Sequence, residues 1–115
     1  MKSTDLAFNQ LLGIRPAPEG TAHVLEMSFG DNVKNHLGTM HAAAQFALAE
    51  AASAESLHRH FGAMASEVFA VVRSVDVKYR KPATADLLAY ADLTKLPATA
   101  FWPTSRVADG LARLS

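Results

Sequence analysis

The feature that most constrains the fold of this chain is an alanine-dense segment near its middle. Eight of the thirteen residues from Ala42 to Ala54 are alanine, the residue with the highest intrinsic helix propensity. We therefore predict a long helix from about Met40 to His60, ended by Gly62. Because alanine side chains are small, a sheet can pack closely against the backbone of such a helix.

The segments around this helix alternate between apolar and polar residues, a pattern typical of strands with one buried face. The first predicted strand is Ala22–Phe29, in which Leu25 and Met27 share the apolar face. Two more strands are predicted at Ser66–Arg80 and Asp86–Thr94, and the short turn between them makes them antiparallel. One long helix with antiparallel strands indicates the α+β class.

The residues before the first strand predict a short helix followed by a loop. Asp5–Leu12 is predicted to be helical, with Ser3 or Thr4 as its N-terminal cap and Gly13 at its end. The sequence IRPAPEGT comes next, and its two prolines and one glycine indicate a loop.

The composition of the chain limits what the protein can bind. The 115 residues are enough for one domain, and their formal net charge is zero. No global positive charge therefore attracts nucleic acid or an anionic membrane. The chain has no cysteine, which excludes disulfides and thiolate chemistry and is typical of a cytoplasmic protein. Neither a metal site nor a segment that spans a bilayer is predicted from the residue spacing.

Polar and charged residues stand at characteristic distances around the predicted helix. Asn35 and His41 form an N-x5-H motif at its start, and the tripeptide LAE ends at Glu50, nine residues after the histidine. Further on, VDVKYRKPATADLLAYADL contains a Y-x-x-P-A turn that begins at Tyr79. In their order and spacing these motifs resemble those of the hotdog-fold thioesterases, most closely the PaaI-type acyl-CoA thioesterases. The resemblance covers Phe8 to Leu93.

The resemblance implies a fold and an assembly. The fold is a curved antiparallel sheet wrapped around one long central α-helix, and residues 1–115 form a single domain of this kind. Such proteins form homodimers or homotetramers, in which the carboxylate of one subunit faces the helix start of another. Hotdog domains close with two further long strands, whereas the residues after Leu93 contain two prolines. We therefore expect an atypical or truncated end of the sheet, with at most a short hairpin or strand at Ser105–Leu114.

The resemblance also implies a site for acyl-CoA hydrolysis that uses no cofactor. Glu50 would act as general base or nucleophile, and Asn35 would orient the water or the substrate carbonyl. The backbone N–H of Ala42 would donate to the oxyanion, and His41 would hold the site in shape. The candidate substrate contacts are Gly38, Thr39, Lys78, Arg80 and Lys81.

A helix start suits thioester chemistry, because its first backbone N–H groups are unpaired and its dipole favours negative charge. The family usually carries His-Gly-Gly at this point, whereas this chain has His41-Ala42-Ala43. The change tightens the approach of a bulky thioester. Since the proposed donor is a backbone group, Ala42 can still supply it.

Each of these residues also has a simpler interpretation. Glu50 would be an exposed acid on an amphipathic helix, but its alanine neighbours argue against this, because a buried carboxylate is costly without a partner or a task. Asn35 would be a turn residue, and His41 would only close the helix start. The basic residues Lys78, Arg80 and Lys81 would form a solvated strand face rather than contact coenzyme A phosphates.

Two other functions are compatible with the same motifs. A hotdog protein of this kind would bind acyl-CoA or another acyl ligand without turnover. A hotdog dehydratase or isomerase would instead pair His41 with Glu50.

Overall fold

The computed structural model of the protein describes residues 2–62 and 74–92. Within these residues the elements are, in chain order, a 3-10 turn at Ser3–Asp5, α1 at Ala7–Leu11, β1 at Ile14–Pro16, β2 at Leu25–Met27, a second 3-10 turn at Asp31–Val33, α2 at Ala42–Phe61 and β3 at Leu87–Ala89. The predicted α+β class is confirmed, because an antiparallel three-stranded sheet contacts one long helix.

The long helix α2 lies where the alanine-dense segment predicted it. It begins one residue after His41, whose Nδ1 accepts a hydrogen bond of 2.9 Å from the backbone N–H of Ala43. It ends at Gly62, which has a φ of 54° and therefore adopts a conformation that favours glycine. The predicted stop is confirmed. No helix in the described ranges is long and apolar enough to cross a membrane.

The sheet has the order β1-β2-β3, and both strand pairs are antiparallel. Ile14 of β1 pairs with Met27, and Leu25 pairs with Ala89 of β3. Leu25 and Met27 are fully buried, whereas Leu88 points away from the core and is exposed. The predicted alternation in β2 and β3 is therefore confirmed, and it sets which face of the sheet meets α2.

The core lies between this face of the sheet and α2. Four alanines of the helix belong to the same buried cluster as Leu25 and Met27: Ala44, Ala47, Ala51 and Ala52. Val33 and Met40, on either side of the loop that leads into α2, are buried in this cluster as well. The start of the helix is thus anchored in the core.

The predicted loop after Gly13 is wrong in its first part, because Ile14–Pro16 forms β1. The two prolines concealed this strand. Proline has no N–H to donate, so it is tolerated where the ladder does not need that donor, such as an edge or strand end. Pro16 occupies the last position of β1.

The short N-terminal helix begins later than predicted. Ser3–Asp5 is a 3-10 turn, and α1 starts only at Ala7, with Leu6 at its cap position and no side-chain cap. Neither Ser3 nor Thr4 therefore caps α1. Its predicted end is confirmed, since Gly13 follows it with a φ of 75°.

The strands β2 and β3 are shorter than predicted. The N–H of Phe29 is taken by the side chain of Asp86 at 2.8 Å, which replaces a backbone partner at that end of the ladder. Residues 66–73 of the predicted strand Ser66–Arg80 lie outside the described residues. In its described part, Val75 and Val77 are half-buried between exposed neighbours, but residues 74–80 form no strand. The prediction is therefore wrong for this part, whereas residues 66–73 and the end of the sheet after Leu93 stay predictions.

Candidate functional site

The segment Asn35–Ala42, the helix mouth, is a tight loop that is stabilised by hydrogen bonds between the Asn35 side chain and other residues of the loop. Its Oδ1 accepts from the N–H groups of Leu37 at 2.9 Å and Thr39 at 3.1 Å. Its Nδ2 donates to Thr39 Oγ1 at 2.8 Å and to the Met40 carbonyl at 3.5 Å. An amide side chain offers two donors and an acceptor with two lone pairs. Asn35 therefore uses its full hydrogen-bonding capacity within its own loop.

This arrangement matches the simpler interpretation of Asn35 as a turn residue. Gly38 and Thr39 also serve the loop, because Gly38 has a φ of 79° and Thr39 accepts the Asn35 amide. A side chain at Gly38 would be strained in this conformation. The roles of Asn35, Gly38 and Thr39 towards a substrate stay predictions.

His41 closes the start of α2, as its simpler interpretation predicted. Because its Nδ1 accepts the Ala43 N–H, the neutral ring carries its proton on Nε2. The backbone N–H of His41 also bonds to the Val33 carbonyl at 2.7 Å. The residue is exposed at the helix mouth.

The backbone N–H of Ala42 has no hydrogen-bond acceptor among the residues that the structure describes. It lies at the first position of a 20-residue helix, where the dipole adds to its attraction for a negative oxygen. Its location is exposed. The predicted oxyanion donor therefore belongs to an exposed residue.

The basic run Lys78, Arg80 and Lys81 lies beside the helix mouth. Tyr79, within this run, donates its hydroxyl to the carbonyl of Ala42 at 3.1 Å. Two residues after the run, the Ala83 carbonyl accepts from the Met40 N–H at 2.8 Å. All three cations are exposed. The tertiary structure thus brings together two motifs that are about forty residues apart in the chain.

Glu50 lies at the middle of α2 and is half-buried. No hydrogen bond or ion pair to it occurs within residues 2–62 and 74–92, and burial raises the pKa of its carboxyl group above the ordinary value. It is eight residues from Ala42, or about 12 Å along the helix axis at 1.5 Å per residue. Within one chain, Glu50 and the helix mouth are therefore separate.

One protein family matches this chain, over residues 16–109, and is described as a domain of unknown function (DUF4442). The chain belongs to the DUF4442 family. The matched range contains the helix mouth, α2 and the basic run. Comparison of the chain with curated proteins and with solved structures found no match.

Sequence reasoning missed a second carboxylate on the long helix of this DUF4442 chain. Glu55 is only 5% exposed. Its Oε1 accepts from the backbone N–H of Ser3 at 3.2 Å, and its Oε2 accepts from Arg59 Nε at 3.2 Å. The spacing of Glu55 and Arg59, four residues apart, was a signal for the second bond. Nothing in the sequence indicated the first.

The face of the DUF4442 sheet opposite α2 carries a polar network that sequence reasoning also missed. Glu26 accepts from Arg15 Nε at 2.8 Å, and its other oxygen is 3.0 Å from His23 Nε2. The hydrogen bond with His23, followed by that with Arg15, lowers the pKa of Glu26. The network joins β1 to β2 and lies on the other side of the sheet from the helix mouth.

Proposed function

We propose that this DUF4442 protein is a hotdog-fold thioesterase that hydrolyses acyl-CoA as a homodimer or homotetramer. One observation carries the proposal: α2 has an unpaired backbone N–H at its start and an unpaired, half-buried carboxylate at its middle, within the described part of the chain. A carboxylate with a raised pKa and no partner is a candidate for proton transfer or nucleophilic attack.

The two groups supply complementary parts of thioester hydrolysis. Glu50, as a carboxylate, takes a proton from water while the water oxygen bonds to the thioester carbon. The carbonyl oxygen becomes negative, and the Ala42 N–H and the helix dipole stabilise it. The carbon–sulfur bond then breaks, and the thiolate leaves and is protonated. A raised pKa suits Glu50 to this role, because a stronger base accepts the proton more readily near neutral pH.

A second copy of the chain completes the site. Glu50 is about 12 Å from Ala42 along the axis, and its separation of nine residues from His41 places it about half a turn round the helix from that residue. An antiparallel pair of α2 helices would place each Glu50 beside the mouth of the other. The basic run at the mouth would meet the phosphates of coenzyme A, which bind arginine and lysine side chains well.

The first test is a thiol-release assay with purified protein and a panel of acyl-CoA substrates. The chain has no cysteine, so every detected thiol comes from the substrate. We expect Glu50→Gln to lower kcat by about 10²–10⁴-fold, the usual contribution of a general base. Glu19→Gln, in an exposed turn, is the matched control and should keep the parent rate. Absence of turnover for the whole panel would rule out the thioesterase.

The proposed oxyanion donor, the Ala42 backbone N–H, can be removed by a proline substitution at this exposed position. Proline is favoured at the first position of a helix, and His41 already has the extended conformation that precedes proline. Ala42→Pro should therefore fold. Because the variant lacks the N–H that would bind the oxyanion, its kcat should fall by about 10²–10³-fold. Because the proposed site combines two chains, mixing Ala42→Pro with Glu50→Gln should restore activity. If the mixture is as inactive as each variant alone, either Glu50 and the Ala42 N–H act within one chain, or one of the two is not part of the site.

A second candidate function is the binding of an acyl ligand without turnover. The observation that favours it is the full engagement of the Asn35 amide in its own loop, which leaves no amide to orient a water molecule. Calorimetric titration with a thioether analogue of acyl-CoA tests it. Binding together with no hydrolysis across the panel supports this function, and robust turnover removes it.

A further inference from the structure

We infer that Tyr79 is a positioning residue for the helix mouth, whose hydroxyl holds the Ala42–Ala43 peptide at the start of α2 and thereby limits the movement of the adjacent Ala42 N–H. The inference rests on the proposed function for its catalytic consequence. Its structural part, the control of one backbone group by one hydroxyl, can be tested without any substrate.

The hydrogen bond itself is the first argument. Tyr79 Oη donates to the Ala42 carbonyl at 3.1 Å across 37 residues of sequence. This carbonyl belongs to the Ala42–Ala43 peptide, whereas the unpaired N–H belongs to the His41–Ala42 peptide before it, so the bond restrains the N–H through the backbone torsions of Ala42. Helical bonds from Ala44 and Gln45 to the His41 carbonyl hold the preceding peptide. Tyr79 thus acts from outside the helix on the peptide that follows the unpaired N–H.

The position of Tyr79 is itself set by the backbone. The Met40 N–H bonds to the Ala83 carbonyl at 2.8 Å, and this docks the segment that contains Tyr79 against the residue before His41. Pro82, between these two contacts, restricts the backbone further. The phenol ring therefore reaches the helix start from a rigid support.

The contact contributes little to the hydrophobic core, because Tyr79 is 48% exposed. The loop at the mouth is already ordered by Asn35, and the helix start is already capped by His41. A half-exposed hydrogen bond is worth little to folding, since water replaces it when it is lost. Its larger effect is on geometry, where small displacements of a donor lower the rate strongly.

The test compares Tyr79→Phe with Tyr90→Phe, which alters the only other tyrosine of the chain. Tyr90 is 60% exposed and its ring contacts His23, two residues before β2. With the acyl-CoA that is turned over best, Tyr79→Phe should lower kcat about tenfold, with KM and the melting temperature nearly unchanged. Tyr90→Phe should change none of these. An unchanged kcat in Tyr79→Phe, or a fall in kcat only in proportion to lost folded protein, would overturn the inference.

Amide NMR of the ligand-free protein separates this result from a failure of the proposed function. Removal of the Tyr79 hydroxyl should move the backbone signals of Ala42 and Ala43, while Tyr90→Phe leaves them in place. If the parent protein hydrolyses no thioester, the thioesterase proposal fails, but the shifted signals still support Tyr79 as the residue that positions the mouth. Signals that stay unmoved in Tyr79→Phe overturn the inference, whatever the outcome with substrates.

Discussion

Glu50 and Glu55 are five residues apart on the same helix, and each follows an alanine. Glu55 is the more deeply buried, yet both of its oxygens accept hydrogen bonds, from Ser3 and Arg59. Glu50 is less buried and has no bond within the described ranges, and its pKa is raised. The difference teaches that burial alone does not mark a functional acid, because a buried carboxylate with partners is a structural bond. A carboxylate without partners needs another explanation.

The two environments follow from what packs beside each part of α2. The turn around Glu55 meets the N-terminal 3-10 turn Ser3–Asp5, whose first backbone N–H needs an acceptor. The residues on either side of Glu50, Ala49 and Ala51, are small and bring no polar side chain. Glu55 therefore fastens the start of the chain to the helix, while Glu50 is left available to another molecule.

The largest effect on stability should come from Glu55→Ala. This change leaves the N–H of the buried Ser3 without an acceptor, and an unsatisfied buried group costs about 1–3 kcal/mol. Urea unfolding at fixed protein concentration should show a loss in this range. Glu19→Ala, in an exposed turn, is the control and should stay within about 0.5 kcal/mol of the parent. An equally small loss in Glu55→Ala would end the contrast between the two acids.

Glu50→Gln should have a smaller effect of the opposite sign. Burial raises the pKa of Glu50 in the folded state above its ordinary value of 4.5. Between pH 4.5 and this raised pKa, the folded protein therefore binds more protons than the unfolded protein. Stability therefore falls as pH rises through this range, and the variant escapes the loss. Thermal melts should show Glu50→Gln to be the more stable at pH 7, with the difference vanishing below pH 4.5. A parent that is more stable at pH 7 would mean that Glu50 has gained a partner.

The smallest effect is expected from Arg59→Ala, which removes the other partner of Glu55. The Arg59 side chain is 57% exposed and that of Glu55 only 6%, but Glu55 keeps its bond from Ser3 and water can replace the exposed Arg59. The loss should stay near the value of about 0.3–0.5 kcal/mol that is typical of helical pairs four residues apart. Urea unfolding should therefore place this variant close to the exposed-site control Arg80→Ala. A loss as large as that of Glu55→Ala would show that Arg59, and not Ser3, is the partner that matters.

The candidate site was predictable only in part. The positions of the helix mouth and Glu50 follow from a local motif and from helix propensity, and both lie where they were predicted. The occupation of the Asn35 amide by its own loop was not predictable, because a turn residue and a substrate-orienting residue look alike in sequence. The contact of Tyr79 with Ala42 joins two distant segments, and no local pattern encodes it.

The sequence by itself determined the features that depend on neighbours in the chain. The alanines produce α2, Gly62 ends it, and alternation chooses the buried face of β2, since propensity and periodicity are local properties. Only the tertiary structure decided which polar groups have partners. The bond between Glu55 and Ser3 spans 52 residues, and Pro16 lies in a strand because β2 pairs beside it. Hydrogen bonds between distant segments depend on how the elements pack, and that packing separates a structural acid from one that is left unpaired.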